Sequence, residues 1–260
     1  MRVALIKTFF RSFFIQGCWN FEGMQNVGFA FGISPVLLKT IKDKKMRSKA
    51  LLNSLELFNT HPYMATAILG AAAGMERAKS KDGENIDSGK KSKSVDDVSE
   101  MKKILSGPLA GLGDTLFWAT LKPLFSIIAV ISGFIGGLIA PVVFLILYNV
   151  VHLWIRIKGF LEGVKHGIGL VNFFHRLNLP LVTERLSGLI VIVTGILLAG
   201  LSFFASHFLG LESWGFWGEL RVLLIVPFLI VLFARKKGAS LLLMLYFFST
   251  VCVVGFACLG

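Results

Sequence analysis

LSGPLAGLGDTLFWATLKP, residues 105 to 123, decides how this chain is read. It places Pro108, three glycines and Asp114 inside a stretch otherwise apolar enough for a membrane. Interrupted helix survives at membrane depth only where protein buries it or where it lines a cavity. The stretch is therefore expected to be broken helix beside a solute site.

Composition points the same way. Of 260 residues, 55% are hydrophobic and 24 are Phe, and the mean hydropathy is +0.73, well above that of a soluble domain. The 27 Lys and Arg outnumber 15 acids for a net charge of +12. That excess sits in polar stretches between apolar ones, so positive-inside bias explains it better than nucleic-acid binding. The expected class is all-α: a polytopic integral membrane protein with re-entrant or broken helices in the N-terminal half and transmembrane helices in the C-terminal half. The lipid bilayer is its surroundings, and no nucleic acid is a partner.

Apolar segments run over residues 9 to 33, 57 to 74, 104 to 121, 124 to 148, 187 to 208, 214 to 234 and 239 to 259. A crossing takes about 20 apolar residues, and the last four qualify. Cation clusters lie at Lys39 to Lys49, Arg77 to Lys103, Arg156 to Arg185 and Arg235 to Lys237, all placed in the cytoplasm by the positive-inside rule. Segment 57 to 74 then enters and leaves on one face, and 104 to 121 pairs with 124 to 148 through a turn near Lys122-Pro123. The loop at Glu212 and Glu219 and the C-terminus are external.

The chain thus divides into four regions. Residues 1 to 56 form an amphipathic in-plane segment with a basic loop. Residues 57 to 148 form a core with broken helices, interrupted by a flexible linker at 79 to 100 whose Lys, Asp, Ser and Gly bury too little to order it. Residues 149 to 186 make a basic cytoplasmic segment, and 187 to 260 hold the C-terminal transmembrane helices. Arg11 interrupts the first apolar stretch and no small-residue cleavage site follows, so the N-terminus is expected to be retained as an interfacial helix.

Metal and nucleotide chemistry find no footing. Cys18, Cys252 and Cys258 lie in apolar surroundings without paired spacing and are expected to be buried thiols. The five histidines stand without Cys or carboxylate partners at metal-site spacing, and the glycines of 107 to 113 lack the GK[ST] or dinucleotide pattern. No cofactor, no metal and no catalytic nucleophile are expected.

Three motifs carry the polar groups. In SFFIQGCWNFEGMQNVGFAFGISPV, residues 12 to 36, Glu22, Gln25 and Asn26 fall at i, i+3 and i+4, one face of a helix. That face lines a cavity or wets an interfacial helix. In FNTHPYMATAILGAAAGME, residues 58 to 76, Asn59 or Thr60 can cap a helix starting at Pro62, and His61 can donate to a hydroxyl. Gly70 and Gly74 form a small-residue ridge, as do Gly133 with Gly137, and Gly159, Gly163 and Gly167. In the opening stretch, Asp114 is the sole acid between Glu100 and Glu162; it grips adjacent hydroxyls while Trp118 covers an apolar ring face, or it caps TLFWATL. Glu162, Lys165 and His166 share one helical side, read as a solvated face that pairs internally or meets a soluble protein.

RSFFIQGCWNFEGMQNVGFAF (11 to 31), FNTHPYMATAILGAAAGME (58 to 76) and GPLAGLGDTLFWATLKP (107 to 123) resemble, in order and spacing, the IID membrane subunit of mannose-family sugar phosphotransferase systems. The likeness weakens over 160 to 219 and resumes loosely around ARKKGAS, 234 to 240. It implies a IIC membrane partner forming the translocation path, cytoplasmic IIA and IIB phosphoryl carriers, a hexose-type sugar, a hetero-oligomer, and the bacterial cytoplasmic (inner) membrane with a multi-pass topology. By the same resemblance Asn59, Thr60, His61 and Asp114 hold the sugar, with Glu22, Gln25 and Asn26 as further candidates, and Trp118 joins them on the residue reading above. None is phosphorylated. A transport-inactive sensor or scaffold of the same fold, and a stand-alone secondary transporter, are the rival readings. The second should show an internal duplication, and no second copy of GPLAGLGD or NTHP occurs.

Overall fold

The computed structural model describes residues 1–82, 94–134 and 136–208. The chain divides into two compact units, Met1–Thr194 and Gly195–Gly260, and the packed core lies in the first. The expected segments at 214 to 234 and 239 to 259, the Arg235 cluster, Cys252 and Cys258 lie outside the described residues, as does 83–93 of the expected linker. The ends of that linker are helical.

Among the described residues the architecture is all helical. The helices are α1 (Arg2–Arg11), α2 (Asn26–Thr40), α3 (Lys44–Ser54), α4 (Pro62–Asp82), α5 (Ser94–Gly113), α6 (Lys122–Gly133), α7 (Ile139–His166), α8 (Leu170–Leu177) and α9 (Leu179–Phe208). Only isolated bridges, Asn20 with Met24 and Met24 with Phe58, break the pattern.

Helix α4 is the axis of the unit. Met64, Ala65, Ala67, Ile68, Leu69, Ala71, Ala72 and Ala73 are all buried, because a helix apolar on every side must be enclosed on every side. Its main neighbour is α7, and glycine makes their approach possible. A Cβ on Gly70 would stand 2.4 Å from the Phe160 carbonyl oxygen, and one on Gly163 2.5 Å from that of Ala67. The two small-residue ridges foreseen in the sequence are therefore each other's partners. Gly167, in the left-handed region at φ 56°, ends α7 beside Met75 rather than extending the ridge.

Helix α7 cuts across two of the sequence expectations. The expected boundary between residues 148 and 149 falls inside it. Arg156, counted among cytoplasmic cations, is buried at 4% exposure, because it lies on the face that α7 turns to α4. Elsewhere on α7, Leu145, Ile146, Val150 and Trp154 are exposed and apolar.

The stretch from 105 to 123 also folds differently from expectation. Helix runs unbroken through Gly107, Pro108 and Gly111, and instead of breaking it widens into a π-helix over Asp114–Leu121 before continuing as α6. The Thr120 hydroxyl donates to the Thr115 carbonyl at 2.8 Å, and the Lys122 N–H reaches the Phe117 carbonyl, both five residues back. Pro123 sits in the first turn of α6, where its missing N–H is tolerated. The reversal expected at Lys122-Pro123 comes instead after Gly133, before α7 begins at Ile139. Gly133 and Gly137 thus flank a turn rather than line a crossing helix.

Val98–Gly133, 36 residues, and the helical run Ile139–Leu198 are long and apolar enough to cross a membrane. At 1.5 Å per residue the first spans about 54 Å, well beyond a hydrocarbon core of about 30 Å.

Candidate functional site

The site begins with how NTHP is held. Residues 15 to 25 are turns rather than helix, so Glu22, Gln25 and Asn26 do not share a helical face. Glu22 stands exposed. Buried Gln25 instead clamps the next motif: its Nε2 donates to the Thr60 carbonyl at 2.7 Å and its Oε1 accepts from the Thr60 N–H at 3.1 Å. The Asn26 Nδ2 donates to the Leu55 carbonyl at 2.7 Å, and its Oδ1 accepts from the Asn20 side chain at 3.0 Å. Both amides are engaged in fixing the loop ahead of α4.

That loop delivers His61 as the cap of α4, a role expected of Asn59 or Thr60. The His61 carbonyl accepts from the N–H groups of Met64 and Ala65, and its Nδ1 accepts from the Tyr63 N–H at 3.3 Å. An accepting Nδ1 carries no proton, so the ring is neutral with its hydrogen on Nε2. Nε2 is a buried donor with no partner among the described residues, and the same holds for the Thr60 hydroxyl. Asn59 is exposed.

Gly113 explains why His61 meets the third motif. A Cβ there would lie 2.3 Å from the His61 Cβ, so only glycine lets the imidazole lie against the start of the π-helix. His61 stacks on Phe117 with ring centres 5.0 Å apart and tilts against Trp118 at 5.1 Å. Trp118 is 43% exposed, with Lys122 Nζ 5.3 Å above its ring. Asp114, next to Gly113, is exposed, and its carboxylate makes no hydrogen bond or ion pair among the described residues. His61, Thr60, Asp114 and Trp118 are thus gathered around one helix junction. Gln25 and Asn26 build the frame around it, while Glu22 stays exposed and outside it.

Behind this corner lies a layer absent from the sequence reading. Tyr63 stacks on His152 at 4.5 Å and meets Tyr148 at 6.1 Å. Arg156 sits over Tyr63 at 5.1 Å and Phe13 at 4.4 Å, and its guanidinium donates to the Thr66 hydroxyl at 2.9 Å and the Ser12 carbonyl at 3.4 Å. No carboxylate pairs with it among the described residues. Tyr148, His152 and Arg156 recur every fourth residue on α7, a period visible in the sequence but masked there by the apolar run around it. Cys18, expected to be buried, is exposed in the turn after α1.

An unpaired carboxylate, an indole plate and an imidazole beside a π-helix, on helices long and apolar enough for a bilayer, define a class: an all-helical membrane protein with a polar corner at a helix junction. The chain belongs to the PTS system mannose/fructose/sorbose family IID component, whose family model matches residues 2–205. The match runs through 160 to 205, where the sequence likeness had faded.

Relatives agree. Over 190 residues the chain is 36% identical to the PTS system mannose-specific EIID component of Escherichia coli (strain K12), covering 73% of this chain and 64% of that protein. It is 31% identical over 195 residues to the fructose permease IID component of Bacillus subtilis (strain 168), covering 75% and 68%. A solved structure described as a membrane protein superposes with a TM-score of 0.68 at 28% identity, covering 99% of this chain and 97% of that one. A second, of the mannose transporter ManYZ in complex with microcin E492, gives 0.56 at 28% identity with the same coverage.

Proposed function

We infer that this chain is the IID-type membrane subunit of a sugar permease that, with a IIC subunit, carries a hexose-type sugar inward for phosphorylation by the phosphohistidine of IIB, itself charged by IIA. It works as part of a hetero-oligomer spanning the bacterial cytoplasmic membrane several times. The relatives' names support the sugar class. The observation that carries the reading is the buried, unpartnered Nε2 of His61, whose ring lies against Trp118 and Gly113, with unpaired Asp114 next to Gly113 in the chain.

Group translocation asks little chemistry of such a subunit. His61 donates to one sugar hydroxyl, Asp114 accepts from others, and Trp118 covers the apolar ring face. Together they orient the acceptor oxygen toward the cytoplasm, a positioning role. The framework of Gln25, Asn26 and Gly113 keeps donor and acceptor in register. The basic clusters at 39–49 and 77–103 are assigned to the cytoplasmic face by their cations.

Co-expression with the membrane protein encoded beside it tests this reading. The purified pair, supplied with phosphorylated IIB, should transfer phosphoryl groups to a radiolabelled hexose. Asp114→Asn should remove that transfer while the pair still co-purifies. A stable complex with no transfer to any hexose would favour the sensor or scaffold reading, and normal transfer by Asp114→Asn would remove Asp114 from the site.

A further inference from the structure

The turn from α7 into α8 carries a second polar feature that the sugar site does not use. His166, Gly169, Asn172, His175 and Arg176 line an open cleft of about 500 Å³. Cations in the last turns of α7 and α8 are accounted for by the negative ends of the helix dipoles. The dipoles do not account for both last turns facing one cleft, or for exposed apolar Ile168 and Val171, which alternate along the chain with the residues that line it. One carboxylate is close: Glu162 pairs with His166 at 3.5 Å. His175, Arg176 and neighbouring Lys165 are exposed without ion pairs among the described residues.

We propose that this cleft holds the phosphate headgroup of an anionic phospholipid. The guanidinium of Arg176 offers a fork of donors matched to two phosphate oxygens. Asn172 and His175 supply further donors, and Ile168 and Val171 extend an apolar surface for the acyl chains. A soluble phosphate would need the cations but not the apolar surface beside them, and this favours the lipid. Basic pockets among membrane helices are suited to such headgroups.

Native mass spectrometry of the full-length chain, purified in mild detergent and offered equal amounts of phosphatidylglycerol and phosphatidylcholine, tests this. Each cation near the headgroup is worth about fivefold in affinity, so phosphatidylglycerol should be retained at least about fivefold in excess. The variant His175→Gln/Arg176→Gln should lose that preference while unfolding at the wild-type temperature, and Lys45→Gln in α3 should keep it. Should the double variant fail to fold, Arg176→Gln alone serves, with a partial loss expected. Equal retention of both lipids by the wild type, or an undiminished preference in the folded variant, would overturn the inference. Displacement of the lipid by millimolar inorganic phosphate would also overturn it, in favour of a soluble phosphate ligand. Sugar phosphorylation by the complex is scored separately, so either reading can fail without the other.

Discussion

Two pairs of glycines with identical spacing meet opposite fates in this chain. Gly70 and Gly74 on α4 are pressed against the backbone of α7, where an added Cβ would lie 2.4 to 2.5 Å from carbonyl oxygens. Gly107 and Gly111 on α5 have nothing within 4 Å of such an atom. The first pair closes a contact inside the unit. The second forms, with Asp114, Thr115 and Trp118, an exposed helix face inside a run apolar enough to cross a membrane. A carboxylate on such a face is costly in lipid, so the face belongs against protein or a solvated cavity. Spacing alone announces close packing; it does not say whether the partner is in the same chain.

The largest expected effect tests that contrast directly. Gly163→Leu should drive a side chain into the Ala67 carbonyl and separate α4 from α7, at a cost of more than about 3 kcal/mol by overpacking. Little folded chain should then be recovered from membranes by size-exclusion chromatography. Gly107→Leu and Gly111→Leu should leave folding intact yet weaken co-purification with the proposed IIC partner or the proposed sugar phosphorylation. If those two variants also failed to fold, the α5 face would be internal and the comparison would collapse.

A middle-sized effect is expected at Arg156. Replacement by Met keeps much of the bulk between Phe13 and Tyr63 but removes the charged donor to the Thr66 hydroxyl and the Ser12 carbonyl, which are left with Ser12 Oγ and the Ile15 N–H as partners, at about 1–3 kcal/mol. Arg156→Lys should recover only part of this, because an ammonium lacks the planar fork that stacks on rings and reaches two acceptors. Thermal unfolding in detergent should rank the chains wild type, Lys, Met. A Met variant as stable as wild type would mean that the buried cation is not tying the turn after α1 to α4 and α7.

Much of the fold could be read from residue types. The Ala-rich run of 64 to 73, Pro62 at a helix start and the glycine ridges are local signals, and the structure obeys them. Three features were hidden because they depend on distant partners. Pro108 and its neighbouring glycines suggested a break, but α5 absorbs them and the irregularity emerges a turn later as π-helix. Gln25 looked like a cavity residue because its partner, the Thr60 backbone, is 35 positions away. Arg156 looked solvated because nothing in its own segment shows that Phe13, Tyr63 and Thr66 enclose it. At the candidate site, His61, Asp114 and Trp118 stood out in the sequence as polar or aromatic exceptions in apolar runs, whereas the Tyr63, Tyr148 and His152 layer behind them did not.

The smallest expected effect sharpens the comparison through pH. The α4 to α7 contact holds by shape and carries no titratable side chain at its glycines, while the base of α5 is tied to the end of α3 by charge. Glu56 accepts from the Ser99 hydroxyl and pairs with Lys103 at 3.3 Å. Its carboxyl is held below the ordinary range chiefly by the Ser99 hydrogen bond, with burial opposing and Lys103 assisting. A depressed carboxylate contributes its full stability above its unfolded pKa and loses it as pH falls through the folded value. Because Glu56 is largely solvated, its contribution is that of a surface pair, under about 1 kcal/mol. Hydrogen-exchange protection, relative to the intrinsic rate at each pH, should therefore fall at the start of α5 as pH drops below the ordinary carboxylate range, with no such change where α4 meets α7. Glu56→Gln should make α5 behave at neutral pH as the wild type does in acid. An equal response of both regions would mean that charge, rather than shape, also governs the glycine contact.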